Sequence, residues 1–179
     1  MITKFRFFTI VDYEREEEFL RKMANKGYQL EEIVGVFFYK FSESEPRDTI
    51  YRLDYGIHKE NEKKEYIQLF EDYGWDYMFD FVDWSYFKTD QDNPNTEIFS
   101  DNESRLELAN RIFKHRYIPI LIIFLLTVVP IFYRVLIFGE RFESLKVIAP
   151  IWGFLFAVYL IVIGYTGYGL YKINKKYKR

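Results

Sequence analysis

Two histidines, His58 and His115, are the side chains that most readily exchange protons near neutral pH. His58 lies in the polar segment GIHKENEKKE before a predicted helix, and His115 lies in the basic run KHR before an apolar segment. Neither has a partner at a spacing that suggests a catalytic pair. We interpret His58 as a solvated surface residue and His115 as a neighbour of lipid headgroups.

Clustered carboxylates are the other candidates, as acid–base pairs or cation ligands. The run EREEE at Glu14–Glu18 is typical of a solvated helix face, and strand spacing scatters the acids of DYGWDYMFDFVD. The chain has no cysteine, which excludes disulfides, thiolate metal sites and cysteine nucleophiles. It also has no phosphate-binding loop, nucleophile elbow or zinc spacing. We predict no catalytic residue, no metal, no cofactor and no enzymatic activity.

An aromatic stretch, DYGWDYMFDFVDWSYF at residues 72–87, could stack nucleic-acid bases, line an apolar pocket or pack within a sheet. Its alternation predicts a half-buried strand. The aromatic, core-facing side is expected to hold Trp75, Tyr77, Phe79 and Phe81, and the other side Asp76, Met78 and Asp80. Up to Arg116 the chain has 17 Lys and Arg against 25 Asp and Glu, a balance of −8. Because phosphates require a positive field, we predict no nucleic-acid partner; an apolar ligand pocket stays open.

Two segments of the first 90 residues align with an offset of 47. FLRKMANKGYQLEEIVGVFFYKF matches YIQLFEDYGWDYMFDFVDWSYFK, so that Gly27 pairs with Gly74 and Tyr39 with Tyr86. Each copy reads as strand, helix, strand and strand, with the glycine ending the helix. We predict an α+β, ferredoxin-like fold for residues 1–90, a duplicated βαββ domain whose helices cover one face of an antiparallel sheet.

Two apolar segments follow, at 117–139 and 147–171, and each is long enough to cross a hydrocarbon layer that needs roughly 20 apolar residues. We predict a transmembrane helix hairpin with an external loop at 140–146. Buried core helices are the alternative, although a soluble domain of this size seldom holds two without a polar face. Arg134 lies about one turn from the end of the first segment, where it can reach the interface; a role within the membrane is the other interpretation.

Basic residues flank these segments on one side. KHR precedes the first segment and the tail 172–179 reads KINKKYKR, whereas the intervening loop is nearly neutral. Positive-inside counting therefore predicts that both termini are cytoplasmic. The residues expected at lipid headgroups are Arg116, Lys172, Lys175, Lys176, Lys178 and Arg179.

The segment 91–116 joins the domain to the first apolar segment. It starts with a turn-rich linker, after which Ser100 and Glu103 have the spacing of a capping box that opens a juxtamembrane helix. Pro119 then indicates either a kink or the first turn of the spanning helix.

Small residues in the second apolar segment suggest a helix-packing surface. Ala149, Gly153 and Ala157 recur every fourth residue and form a shallow groove. The groove packs either against the first segment of the same chain or against a second copy, and the sequence leaves both open.

Five stretches resemble a bacterial family of unknown function, DUF2812, whose members usually continue into membrane spans. They are KFRFF, EEEFLRKMANKGYQL, TIYRLDY, YIQLFEDYGWDY and TEIFSDNESRLE, and the similarity covers roughly residues 3–110. The resemblance implies a bacterial inner-membrane protein. Because members are often encoded beside PadR-type repressors, it also implies a role in regulation or envelope-stress response. It supplies no catalytic residues.

These features predict a membrane-anchored regulatory or adaptor protein. Its expected partners are the lipid bilayer and either another protein or a second copy of the chain. A sensor of an apolar or amphiphilic small molecule is the alternative, and an enzyme of unknown type comes third.

Overall fold

The computed structural model describes residues 1–56, 60–99, 101–138 and 143–178, apart from the side chains of residues 60, 61, 135, 138 and 143–148. The chain divides into two units, Met1–Leu108 and Ala109–Arg179. The first unit is mixed α+β and the second is helical. His58, Ser100 and Arg179, which carried sequence-based interpretations, lie outside the described residues.

The first unit repeats the order strand, helix, strand, strand. Its strands are β1 (Ile2–Phe5), β2 (Tyr28–Val34), β3 (Phe38–Glu43), β4 (Thr49–Tyr55), β5 (Asp76–Phe81) and β6 (Trp84–Asp90). Its helices are α1 (Tyr13–Ala24), α2 (Glu60–Asp72) and the first part of α3 (Asn102–Ile112). Gly27 and Gly74 follow α1 and α2 with φ of 79° and 80°, the left-handed conformation expected where a helix ends on glycine.

The strands form two three-stranded antiparallel sheets, ordered β1-β3-β2 and β4-β6-β5, where the sequence predicts one sheet. The physical reason lies at β4, an edge strand of the second sheet. The Leu53 backbone N–H donates a hydrogen bond of 2.9 Å to the carboxylate of Glu17 on α1. The Glu17 side chain thus occupies a backbone N–H at the free edge of β4, where a further strand would otherwise pair.

The two helices cover opposite faces of the second sheet. Consecutive residues of β6 point to opposite faces, and Trp84 through Phe87 are all buried. On one face the Trp84 ring contacts Tyr13 of α1, with centroids 5.5 Å apart. On the other face Phe87 contacts Phe70 of α2 at 4.5 Å. The expectation that both helices share one face of a sheet is therefore corrected.

A β-bulge divides the aromatic stretch between these two faces. The register of β5 shifts between Tyr77 and Phe79, so that Tyr77 pairs with Phe87 and Phe79 pairs with Tyr86. Because the extra residue, Met78, reverses the alternation, Tyr77 points toward α2 and Phe79 points the other way. The prediction of a single aromatic face is wrong. The aromatic residues of β5 and β6 are buried or half-buried and lie on both faces of the sheet.

The second unit is built from one helix with two wide turns and one long helix. The first continues from α3 through a π-helical turn (Phe113–Tyr117), α4 (Ile118–Ile123), a second π-helical turn (Phe124–Val128) and α5 (Val129–Phe138). The other is α6 (Glu143–Tyr177). Each π-helical turn ends two residues before a proline, Pro119 or Pro130. Because proline removes a backbone donor and crowds the preceding turn, local widening lets the helix continue.

The first of these helices begins with a reciprocal cap. The Ser104 N–H donates to Asp101 Oδ1 at 2.8 Å, and the Asp101 N–H donates to Ser104 Oγ at 3.3 Å. This cap also lowers the pKa of the Asp101 carboxyl. The described capping pair is thus Asp101 with Ser104, one residue beyond the predicted Ser100 and Glu103.

Two stretches, Asn102–Arg134 and Ala149–Tyr177, are long and apolar enough to cross a membrane by length and composition. Only 11% and 6% of the residues in their most apolar windows are buried. A helix in the core of a soluble protein buries most of such residues. Large apolar side chains such as Leu126, Phe154 and Ile161 are instead about 70% exposed.

Candidate functional site

A buried carboxyl group, Glu16 of α1, links the two sheets. Its Oε1 accepts hydrogen bonds from the Tyr39 hydroxyl of the first sheet at 2.8 Å and from the Tyr86 hydroxyl of the second at 2.6 Å. Burial raises the pKa of the Glu16 carboxyl, and the two hydroxyl donors partly offset that rise. Burial also raises the pKa of both phenols, with the Glu16 carboxylate adding to it.

The next residue, Glu17, is the second buried carboxyl. Its carboxylate accepts the hydrogen bond from the Leu53 N–H, and its Oε2 lies 3.7 Å from Nη1 of the Arg52 guanidinium. Burial raises the pKa of Glu17 to about 8, against the opposing effects of Arg52 and the backbone donor. The interpretation of EREEE as a solvated face is therefore wrong for Glu16 and Glu17, since tertiary packing covers that side of α1.

Arg52 also joins α1 to the segment that precedes α3. Its guanidinium binds Glu97 through Nε at 3.2 Å and Nη2 at 2.5 Å, and Arg105 of α3 binds the same carboxylate. Ile98, the next residue, packs on the core cluster around Trp75. The segment TEIF is thereby held on the domain by charge and by apolar contact.

Raised pKa values are typical of acid–base residues, and burial raises the pKa of both carboxyl groups, but their surroundings favour a structural role. Neither Glu16 nor Glu17 lines either of the two clefts described below. A general acid or base has to reach the proton that it transfers. The described residues also contain no cluster of three or more His, Cys, Asp or Glu able to hold a metal ion. His115 is exposed.

A polar cleft of about 350 Å³ opens between the two βαββ segments. Its charged lining residues are Glu45, Arg47, Asp76, Lys88 and Asp90. Arg47 and Asp90 already form an ion pair at 3.2 Å, and the remaining charges are mixed. The buried phenol of Tyr51 on its wall has a pKa raised to about 12 by burial, so it stays a neutral hydroxyl. The cleft can hold a small polar molecule, but its charges select no particular class.

An exposed apolar surface lies at one end of the first sheet, around the β2–β3 turn. We call it the phenylalanine patch; it consists of Phe5, Phe7, Val34, Val36, Phe37 and Phe38, which are between 37% and 61% exposed. Phe37 is its centre, with ring centroids 5.7 Å from Phe5 and 5.4 Å from Phe7. Phe38 and Phe5 are paired across β3 and β1 on the face that α1 does not cover. Sequence reasoning missed this patch because VFFYKF predicts a strand without saying which face is covered.

Within the helical unit, aromatic contacts join the two helices. Phe124 and Phe132 contact Phe156 of α6, at 5.4 and 4.2 Å between centroids. Farther along, the Tyr117 ring lies against Gly167, where an added Cβ would be 2.9 Å from the Tyr117 hydroxyl oxygen. Gly167 therefore lets the Tyr117 ring lie against the backbone of α6, and a larger residue at this position would require the ring to shift.

The predicted helix-packing groove does not contain Gly167. At Gly153 an added Cβ would meet nothing within 4 Å, Ala149 is half-buried and Ala157 is exposed. Gly153 is thus open on the groove side in the described part of the unit. Association through Ala149, Gly153 and Ala157 stays a prediction.

The predicted headgroup residues fall into two groups. Lys175 and Lys178 line a cleft of about 630 Å³ between the two helices, whereas Lys172 and Lys176 are exposed elsewhere on α6. Arg116 is half-buried on the first π-helical turn. Arg134 is exposed near the other end of its helix. Contact of these residues with lipid stays a prediction.

Comparison with known proteins gives one assignment. No curated protein and no solved structure matches the chain. A family model described as "Protein of unknown function (DUF2812)" matches residues 12–121, which include α1, both sheets from β2 onward and the start of the first apolar helix. This match covers more than half of the sequence. The chain therefore belongs to the DUF2812 family.

Proposed function

We propose that this protein is a membrane-anchored adaptor, in which the α+β unit binds a protein partner at the cytoplasmic side of a bacterial inner membrane. The phenylalanine patch is the observation that carries the proposal. Phe5, Val34 and Phe38 share the face of the first sheet that α1 does not cover, and Phe7, Val36 and Phe37 extend this exposed apolar surface around the β2–β3 turn. Exposed apolar patches on soluble domains typically mark interaction sites, and aromatic residues are enriched at the centres of interfaces.

Membrane anchorage is supported by the exposed apolar surface of the two long helices. Such side chains are favourable in a hydrocarbon layer and unfavourable in water. The basic residues before the first helix and after the second support cytoplasmic termini. The proposed external loop at 140–146 lies partly outside the described residues.

An internal duplication fits this architecture. The two βαββ segments have the same strand order within their sheets. Residues aligned by the offset of 47, Tyr39 and Tyr86, donate to the same oxygen of Glu16. Glycines aligned by that offset end both helices in the left-handed conformation.

A sensor of an amphiphilic molecule is the second candidate, favoured by the cleft of about 630 Å³ between the helices. For either candidate we propose a role in envelope-stress or transcriptional signalling, as the resemblance to this family led us to expect. We propose no enzymatic activity.

The topology can be tested by cysteine labelling, because the chain has no native cysteine. Ser144→Cys should react with a membrane-impermeant maleimide in intact cells. Gln91→Cys, in an exposed turn of the α+β unit, should react only after the cells are opened. The reverse pattern would show that the α+β unit faces outward and would contradict a cytoplasmic adaptor.

Partner binding at the patch can be tested with a photocrosslinking residue in living cells. The crosslinker at Phe37 should give a discrete adduct of higher mass. The crosslinker at Tyr73, an exposed aromatic position after α2 in the second βαββ segment, should give none. Phe5→Ser together with Phe38→Ser should remove the Phe37 adduct, because both rings form the surface around it.

Two further arms decide the nature of the adduct. Co-expression of a copy with an added mass tag should leave the adduct unshifted if the partner is another protein, and should shift it if the partner is a second copy. Addition of amphiphiles should not change it if the adaptor function is correct. Equal labelling at Phe37 and Tyr73 would contradict a specific partner at the patch.

A further inference from the structure

The cleft between the two helices of the second unit has an apolar part and a basic part. One wall comes from the first π-helical turn, where Phe113 and Tyr117 stack with centroids 5.5 Å apart. The opposite wall comes from α6 and includes Gly167 and Leu170. The basic part is formed by Lys175 and Lys178, one and two turns beyond Leu170. We call this site the lysine cleft.

The apolar part has room because of residue size and helix geometry. Tyr117 packs against Gly167, where the missing side chain lets the ring lie directly on the helix backbone. Leu170, one turn farther along α6, is 8% exposed and Phe113 is 43% exposed. The result is an open aromatic trough rather than a filled helix contact. A trough of about 630 Å³ is large enough for part of a lipid chain.

The basic part carries unbalanced positive charge. Lys175 and Lys178 are exposed and three residues apart. Lys178 directly follows α6, and its N–H donates to the Asn174 carbonyl at 2.9 Å, so both lysines lie on the same side of this last turn. No ion pair of either lysine is found within the described ranges. The only acidic residue within α6 is Glu143, 32 residues before Lys175 and so about 48 Å away along the helix axis. The two ammonium groups are therefore available to an anion.

We propose that the lysine cleft binds one anionic phospholipid, with its phosphate between Lys175 and Lys178 and an acyl chain along Tyr117, Gly167 and Leu170. The inference rests on the proposed membrane position of the helices. The order of groups along α6 matches that position, because Leu170 would lie at the edge of the hydrocarbon and Lys175 about 7.5 Å farther out, among the headgroups. Charge complementarity favours phosphatidylglycerol over a zwitterionic lipid.

The test uses the full chain purified in detergent and native mass spectrometry with added dioleoylphosphatidylglycerol or dioleoylphosphatidylcholine. Lys175→Gln with Lys178→Gln should weaken binding of the first phosphatidylglycerol by about thirtyfold, the effect of two basic residues near an anionic headgroup. The matched control is Lys172→Gln with Lys176→Gln, which removes the same charge from α6 outside the cleft. This control double variant should bind phosphatidylglycerol less than about threefold more weakly than the unmodified chain, because it loses only the long-range attraction between the helix and the headgroup.

Several results would overturn the proposal. Equal weakening by both double variants would assign lipid binding to the overall charge of the tail. Equal affinity of the unmodified chain for the two lipids would show that the lysines do not select an anion. Recovery of the protein in the soluble fraction after an alkaline wash of membranes would refute membrane anchorage itself. An integral protein whose lipid affinity is unchanged by Lys175→Gln with Lys178→Gln would refute the lysine cleft alone.

Discussion

Replacement of Trp75 by alanine should lower the free energy of unfolding of the α+β unit by about 3 to 5 kcal/mol. The Trp75 side chain is 1% exposed and packs with Ile50 and Phe87 in a core cluster that α2 also contacts. Truncation to alanine removes the apolar area of the indole and leaves a cavity that neighbouring rings fill only in part. Because Ile98 packs on the same cluster, docking of the segment before α3 should weaken as well.

The measurement is urea unfolding of the full chain in detergent, followed by tryptophan fluorescence. Trp84, which lies buried in the same sheet, reports on the α+β unit, and Trp152 of α6 is present in every variant. Tyr73→Ala is the matched control, since Tyr73 is aromatic, two residues away and 55% exposed. Its effect should stay within about 0.5 kcal/mol. A loss below about 1 kcal/mol for Trp75→Ala would mean that the indole is accessible in solution and free to contact a ligand.

Local features of the fold were predictable from the sequence because short-range physics decides them. Gly27 and Gly74 end α1 and α2 because a left-handed residue at a helix end suits glycine. The two long apolar helices follow from composition over twenty or more residues. Four of the five stretches behind the family assignment lie within residues 12–121, which the family model matches.

Features that depend on distant contacts could not be predicted in the same way. Glu16 is buried because Tyr86, 70 residues later in the chain, donates a hydrogen bond to it. The bulge at Met78 is one residue long, yet it moves Phe79 to the opposite face from Tyr77. The phenylalanine patch depends on which face of the first sheet α1 covers, and an alternating strand pattern is the same for either choice.

The second large effect is a pH dependence that originates at Glu17. Its pKa in the folded chain is about 8, and the ordinary value of a glutamate is 4.5. Between these values the folded state holds a proton that the unfolded state has lost. The stabilising effect of that proton is fully present below about pH 4.5 and is lost as the pH rises toward 8. Glu16, whose pKa is also raised by burial, contributes with the same sign.

Glu17→Gln should therefore make the α+β unit more stable than the unmodified protein at pH 8, and the difference should shrink toward pH 4.5. Glutamine resembles the protonated carboxyl and can still accept the Leu53 N–H, but it has no charge to bury. Because one proton changes stability by at most about 1.4 kcal/mol per pH unit, a difference on the order of 3 kcal/mol is expected across the window.

The control is Glu18→Gln on the same helix. Glu18 is exposed and forms an ion pair with Lys22, which lowers the pKa of the Glu18 carboxyl. Because that ion pair is lost only in acid, Glu18→Gln should leave the slope of stability against pH unchanged between pH 4.5 and 8. Unfolding midpoints in urea at half-unit pH steps give the comparison. A Glu17→Gln variant with the slope of the unmodified protein would mean that Glu17 is ionised at neutral pH. Glu17 and Arg52 would then form a buried ion pair. The Arg52 guanidinium would be shared between two carboxylates, those of Glu17 and Glu97.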